Sequence, residues 1–518
     1  MTPRANCTAL ALAILTAWSC AEAPTDAARL QPGPTARSET AESADSDARV
    51  VVDAATTLGP VMRLERSTTH STSSPLPGEA TRAYMQSLDH DVVRTWIQTR
   101  YVYNKGNVDY NYKYDVSNVG AEDALAFYAT TAKSVLIALS AYNPTSTWTM
   151  PEGDSLTRFL THTLVYYKSK YPNIRYIQVG NEPDANDETM ATYYPIYQHY
   201  YRAVNAANAE LGLTGDDRIL ISNGPFTSNV PNMLAYAGPF FAAYAADPDP
   251  AKKLDYFSFH VYGETDRPLE LLTARQRIDA AMQANGLPLI PVFVDEYGVF
   301  GGSSLPVRFT KAELVTLQPA GQLTKAFYLY EGGIDQVFNW AIFHSTLPMK
   351  SQLTDVQTAA RYPYGNALLL AKEVSDRETR IAASSNAIDA KGLGTHVLAS
   401  MKHGDGIAIL VWNFNWRLTN PASKDFTVLV KNIPHSAVGG DTLRKTIYLI
   451  DSRTNNVYTN PSQTTLQPVS SEELAYSPTL SIPMQMEPYS VALIVLTKPK
   501  VKCRKDPAKD KALPGLCE

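Results

Sequence analysis

Short strand-like runs alternate with helix-like stretches through the middle of this chain. Eight runs share the pattern: Val92-Val93-Arg94-Thr95-Trp96-Ile97; a segment near Tyr110-Asn111-Tyr112; Ser134-Val135-Leu136-Ile137-Ala138-Leu139; Tyr176-Ile177-Gln178-Val179; Ile219-Leu220-Ile221-Ser222; Tyr256-Phe257-Ser258-Phe259; Val292-Phe293-Val294; and Gln336-Val337-Phe338-Asn339-Trp340. Helical periodicity fills the intervals at 121–132, 154–170, 189–211, 271–285 and 311–332. Apolar runs of this length, each followed by a helix, are buried parallel strands. Eight such units predict a closed (β/α)₈ barrel rather than an open sheet.

Beyond about residue 375 the helical period stops. Short β-rich runs at 395–401, 406–414, 426–430, 445–450, 480–482 and 490–496 alternate with loops rich in Asn, Asp, Pro, Ser and Gly. This predicts an antiparallel β-sandwich. Two folded units also suit a chain of 518 residues. Residues 49–375 are assigned to the barrel and 376–498 to the sandwich. Val50-Val51-Val52 and Val61-Met62-Arg63-Leu64 are strand-like as well. They either lead into the barrel or pack on the second unit.

The first 21 residues predict an export signal: Arg4 gives a positive start, and 9–17 is an apolar core too short to span a bilayer. Cleavage after Ser19-Cys20-Ala21 and lipidation at Cys20 are alternatives, so the expected location is secreted or cell envelope. Residues 22–48 are Ala-, Ser-, Thr-, Pro- and acid-rich, the composition of a disordered spacer. Two of the four cysteines, Cys7 and Cys20, fall in the signal. Cys503 and Cys517 are left in the 499–518 tail, where an oxidising compartment would pair them. A net charge of −5 excludes a nucleic-acid-binding surface on charge grounds, and no transmembrane segment is expected. The 30 tyrosines suit sugar-stacking loops, although packing accounts for most of them.

Two glutamates stand at the C-terminal ends of buried runs. Asn181-Glu182-Pro183 closes the run ending Gln178-Val179-Gly180, and Glu296 closes Pro291-Val292-Phe293-Val294-Asp295. Strand C-termini form the active-site face of a (β/α)₈ barrel. Two carboxylates converging there can break a glycosidic bond, one as proton donor and one as nucleophile. The donor must keep a proton, so burial should raise its affinity for one. Glu182 fits the donor role and Glu296 the nucleophile role. Asp295 competes for the second role, but strand alternation sends Asp295 and Glu296 to opposite faces.

His260-Val261-Tyr262 follows the sixth run, with both rings on one side. The Tyr262 hydroxyl could hold the nucleophile charged. His260 is either a sugar ligand or a structural histidine. Trp340, ending the eighth run, is either a stacking floor or a core residue, and Arg94 is either a tuner of the acid–nucleophile pair or a structural barrel arginine. Asn181 offers an amide to a sugar hydroxyl. Trp96, Tyr142, Trp148 and His344 are further candidate pocket residues. No metal-ligand spacing is evident, and the chemistry needs no cofactor.

With these motifs the chain resembles the clan A retaining glycoside hydrolases. Gly180-Asn181-Glu182-Pro183 looks like their strand-four motif, Val294-Asp295-Glu296-Tyr297-Gly298 like their strand-seven motif, and His260-Val261-Tyr262 like their strand-six pattern. A barrel followed by a β-sandwich is most similar to family 39, with family 79 next. The resemblance implies a poly- or oligosaccharide substrate, Glu182 as acid/base and Glu296 as nucleophile. Gly180 and Asp295 depart from the family 39 pattern. The alternatives are a carbohydrate-binding protein on an inactive barrel and an inverting hydrolase with more widely separated carboxylates.

Overall fold

A computed structural model describes residues 48–70, 76, 78–103, 110–116, 119–140, 151–186, 189–299, 311–340, 360–415 and 424–499. The expected export signal, spacer and tail, with Cys20, Cys503 and Cys517, lie outside these residues, as do Tyr142, Trp148 and His344. No helix among the described residues is long and apolar enough to cross a membrane.

Parallel strands occupy eight positions of a barrel-like ring. They are Ser67–Thr69, His90–Ile97, Ala132–Leu139, Ile174–Val179, a fifth in two pieces (Leu220–Ser222 and Phe226–Ser228), Phe257–Val261, Val292–Tyr297 and Gln336–Trp340. The eighth strand pairs back onto the first, with Phe338 opposite Ser67 and Trp340 opposite Thr69. At the fifth position one piece pairs with strand four and the other with strand six. Between them, the Asn223 side chain stands in for a peptide unit. Its Oδ1 accepts from the Ser258 N–H at 3.0 Å, and its Nδ2 donates to the Ser258 carbonyl at 2.9 Å. Gly224 follows because a Cβ there would sit 2.1 Å from the Val179 carbonyl oxygen.

Two expectations for the barrel are corrected. Tyr110-Asn111-Tyr112 is not a strand. Its rings pack on the helix Asp154–Lys170, Tyr112 stacked on Tyr166 at 3.9 Å and Tyr110 edge-on to Phe159 at 5.1 Å. The missing strand is instead Ser67–Thr69, which carries no hydrophobic signal because its interior groups are satisfied hydroxyls. Ser67 Oγ donates to Gln336 Oε1 at 2.9 Å, and Thr69 Oγ1 donates to the Asp295 carbonyl at 2.6 Å. Arg94 therefore lies on the second strand, not the first.

Among the described residues the second region is a mostly antiparallel sheet of nine strands. Ala48–Pro60 belongs to it, antiparallel to Thr379–Ser385 and parallel to Lys424–Lys431, although it precedes the barrel in sequence. The barrel's own strands begin at Ser67. Strands from both ends of the second sheet share one apolar cluster that includes Val52, Ile409, Val428 and Ile494. A second, larger cluster runs from barrel helices into this sheet through Leu410, Trp412 and Leu493. Trp412 donates its indole N–H to Thr324 Oγ1 at 2.9 Å on the barrel helix Lys311–Glu331. The helix approaches closely because residue 321 is glycine: a Cβ there would come within 2.9 Å of the Phe414 ring.

Candidate active site

The site forms where strands two, four, six and seven end together. On strand two the backbone carries Arg94 into the interior, where its side chain is fully buried. It donates to Gln178 Oε1 at 2.9 Å, Asn181 Oδ1 at 2.6 Å and Glu296 Oε2 at 3.1 Å. It also pairs with Asp295 Oδ2 at 3.3 Å. A buried guanidinium needs such partners, because its desolvation is otherwise uncompensated. Its planar fork thus ties strand four to strand seven.

At the end of strand four the chain leaves the pleat. Gly180 and then Glu182 take positive φ, +79° and +50°. For a glutamate this is a sparsely populated conformation, and such strain gathers at functional positions. The Glu182 N–H is held by the Pro225 carbonyl at 3.0 Å. This turn swings the Glu182 carboxylate, about a quarter exposed (27%), over the barrel mouth, where Oε1 meets His260 Nδ1 at 2.7 Å.

Strand seven departs from regular alternation. Phe259 pairs with Val294 but His260 pairs with Glu296, and across the other edge Val294 and Tyr297 span what Val337 and Asn339 span. An extra residue is accommodated at Asp295–Glu296, a β-bulge that re-aims side chains. Asp295 and Glu296 therefore both face Arg94, contrary to the alternation expected from the sequence. Glu296 accepts at Oε2 from Arg94 and at Oε1 from the Tyr262 hydroxyl. Asp295 lies deeper and fully buried, accepting at Oδ2 from the Gln178 amide. One carboxylate oxygen from each of Glu182 and Glu296 and one ring nitrogen of His260 lie within 4.8 Å of one another. The Arg94 guanidinium already supplies these carboxylates with a cation, and the His260 nitrogen facing Glu182 is engaged in a hydrogen bond. The donor set is therefore arranged for sharing protons rather than for ligating an ion.

The electrostatics follow from this packing. Burial alone would drive the His260 imidazole to lose its proton, but the charge of Glu296, the hydrogen bond to Glu182 and the charge of Asp295 outweigh it and raise its pKa. Burial pushes Glu182 up, yet the His260 hydrogen bond and the charges of His260 and Arg94 leave its carboxyl below the ordinary value. The two directions favour a proton on the imidazole over one on Glu182, opposite to the raised acid expected from the sequence. Burial raises Asp295 to about 6 despite Arg94 and His260. Burial and the Glu296 charge push the Tyr262 hydroxyl well above the ordinary range, so it remains a donor.

Glu182, Glu296, Asn181, His260, Tyr262 and Arg94 are thus gathered into one network. Trp340 lies at the end of strand eight, half-buried and edge-on to Trp96 at 5.8 Å, and Trp96 lies 4.5 Å over the Arg94 guanidinium. Gln178 was not anticipated. A polar residue four positions before Glu182, inside an otherwise apolar run, was the available signal.

No family model and no curated protein matches the sequence. Solved structures do match the fold. A glucosidase from Croceicoccus marinus superposes with a TM-score of 0.64 at 14% identity, covering 88% of this chain and 99% of that one. A monomeric β-xylosidase from Caulobacter crescentus CB15 gives 0.61 at 15%, covering 87% and 99%. A glycoside hydrolase family 39 enzyme from Xanthomonas axonopodis pv. citri gives 0.59 at 16%, covering 87% and 97%. The likeness expected from the motifs is found at the level of the fold: a barrel-like ring with a second β-sheet region, as in these glycoside hydrolases.

Proposed function

We propose that the protein is a retaining glycoside hydrolase acting on a poly- or oligosaccharide, with Glu296 as nucleophile and Glu182 as acid/base. The observation that carries this is the facing of Glu182 and Glu296, with oxygens within 4.8 Å at the ends of strands four and seven. That proximity suits direct attack by a carboxylate. An inverting pair stands about 6.5–9.5 Å apart to admit water between.

In the first step a Glu296 oxygen attacks the anomeric carbon and the bond to the leaving oxygen breaks. Arg94 and the Tyr262 hydroxyl donate to the two Glu296 oxygens and so orient the carboxylate for attack. The leaving oxygen takes a proton from Glu182, which the imidazolium of His260 supplies through their 2.7 Å contact. Water then cleaves the glycosyl ester, and its proton returns to Glu182 and so to the pair. Asn181 offers its amide to a sugar hydroxyl, and Trp340 with Trp96 lines the approach. The reading extends to export, on the strength of the N-terminal sequence, and to barrel-plus-sandwich architecture for the whole catalytic body.

The test is release of reducing sugar from a panel of plant, bacterial and animal glycans. Glu182→Gln and Glu296→Gln should each cut turnover by about 10²–10⁴-fold. The first-formed anomer, read by NMR, should match the configuration of the substrate. Full activity in either variant, or an inverted product, would overturn the assignment.

A further inference from the structure

Asp295 is a carboxylate in this site that the two-glutamate chemistry does not use. It is fully buried one residue before Glu296, and the bulge turns it inward instead of away. Its Oδ2 is committed to Gln178 and Arg94. Among the described residues its Oδ1 has no hydrogen-bond partner; it faces His260 Nε2 at 3.5 Å, which has none among them either. The other ring nitrogen of His260 meets Glu182. The imidazole is thus sandwiched between a carboxylate at the mouth and a carboxylate below, with Glu296 Oε2 at 3.8 Å to one side.

Resting on the hydrolytic reading of this site, we propose that Asp295 is a positioning residue which keeps the Glu182–His260 pair loaded with the one proton that glycosidic cleavage consumes. Removing a proton from this pair leaves a neutral imidazole whose remaining N–H points at Asp295. The balance closes over a cycle: the proton leaves Nδ1 for Glu182 and then the departing oxygen, and the hydrolytic water restores it. Formation of the glycosyl ester removes the Glu296 charge while the proton departs, so both changes favour release together. The charged and titratable groups facing the imidazole are Glu182 from strand four, Asp295 and Glu296 from strand seven, and Arg94 beyond them on strand two. The Tyr256 hydroxyl also feels the Asp295 charge from the barrel interior. The charge of Asp295 is one of the causes that hold the His260 proton, which agrees with the geometry.

The experiment follows the ¹⁵N imidazole signals of His260, assigned by their loss in His260→Gln, from about pH 5 to 9. Wild-type His260 should remain doubly protonated through neutrality. Asp295→Asn should lower its midpoint by about one unit, and the alkaline limb of kcat should move down by the same amount with KM little changed. An unchanged midpoint, or activity lost equally at every pH, would overturn the proposal. If Asp295→Asn does not fold, wild type alone decides, since a neutral imidazole at pH 7 is incompatible with it. The titration needs no substrate, so it separates failure of this inference from failure of the hydrolytic reading, which the glycan panel reports.

Discussion

At the scale of single residues, the site rests on charge neutralisation inside a buried network. Among the described residues Glu296 has two donors, Arg94 and Tyr262, and losing one leaves a carboxylate less well compensated. A hydrogen bond to a charged group is worth about 1.5–3 kcal/mol. Tyr262→Phe should therefore lower kcat/KM by about 10- to 100-fold without unfolding the protein, measured on whichever glycan the panel selects. The glutamates, His260 and Tyr262 were legible in the sequence because strand ends advertise themselves as polar residues closing apolar runs. The orientation of Asp295 was not, since a bulge leaves no mark in composition and alternation predicts the opposite face. The upward shift of His260 was not legible either, because it depends on three carboxylates that meet only in the fold.

At the scale of elements, Lys325 shows how the strand ends are fixed. It is buried on helix Lys311–Glu331 and donates to the carbonyls of Tyr262, Gly263 and Gly298 at 3.1, 2.6 and 2.8 Å. One ammonium thus clasps the exits of strands six and seven, which carry Tyr262 and Glu296. Burial pushes its pKa down to about 7, opposed by Glu264. The folded value lies below that of the unfolded chain. Between about pH 7 and 10 the unfolded chain therefore binds more protons, and this residue makes stability rise with pH by up to about 1.4 kcal/mol per unit. Lys325→Met should flatten that rise relative to wild type, as read from urea midpoints at about pH 7.5 and 9. Most strands were readable from apolar runs. Ser67–Thr69 was not, because hydroxyls pairing inside the ring replace hydrophobic burial. Pro468–Ala475 was also missed, being an edge strand with largely exposed side chains.

At the scale of the whole molecule, the second sheet is a packing partner of the barrel through a shared core. Trp412 is fully buried, stacked on His396 at 5.3 Å and bonded to Thr324. Trp412→Ala should cost about 3–5 kcal/mol, read as a lower denaturant midpoint. A single cooperative transition in wild type would accord with the continuous apolar cluster. The end of helical periodicity expected near residue 375 coincides with the end of the helix Pro363–Ser375. The crossing of Ala48–Pro60 into the second sheet was not legible, since nothing local to a valine-rich strand names its partners.

The seam at the fifth barrel strand carries a further consequence. There the Asn223 side-chain amide bridges to strand six, and that amide belongs to Asn223-Gly224, the dipeptide in which asparagine most readily loses ammonia through attack by the following peptide nitrogen. In the folded protein the Gly224 N–H is occupied by the Tyr193 hydroxyl, and both ends of the Asn223 amide are held by Ser258. The native state is therefore its own preservative. A chain that ages while unfolded acquires an aspartate whose oxygen meets the Ser258 carbonyl where a donor had been, and it can no longer bridge to strand six as it first did.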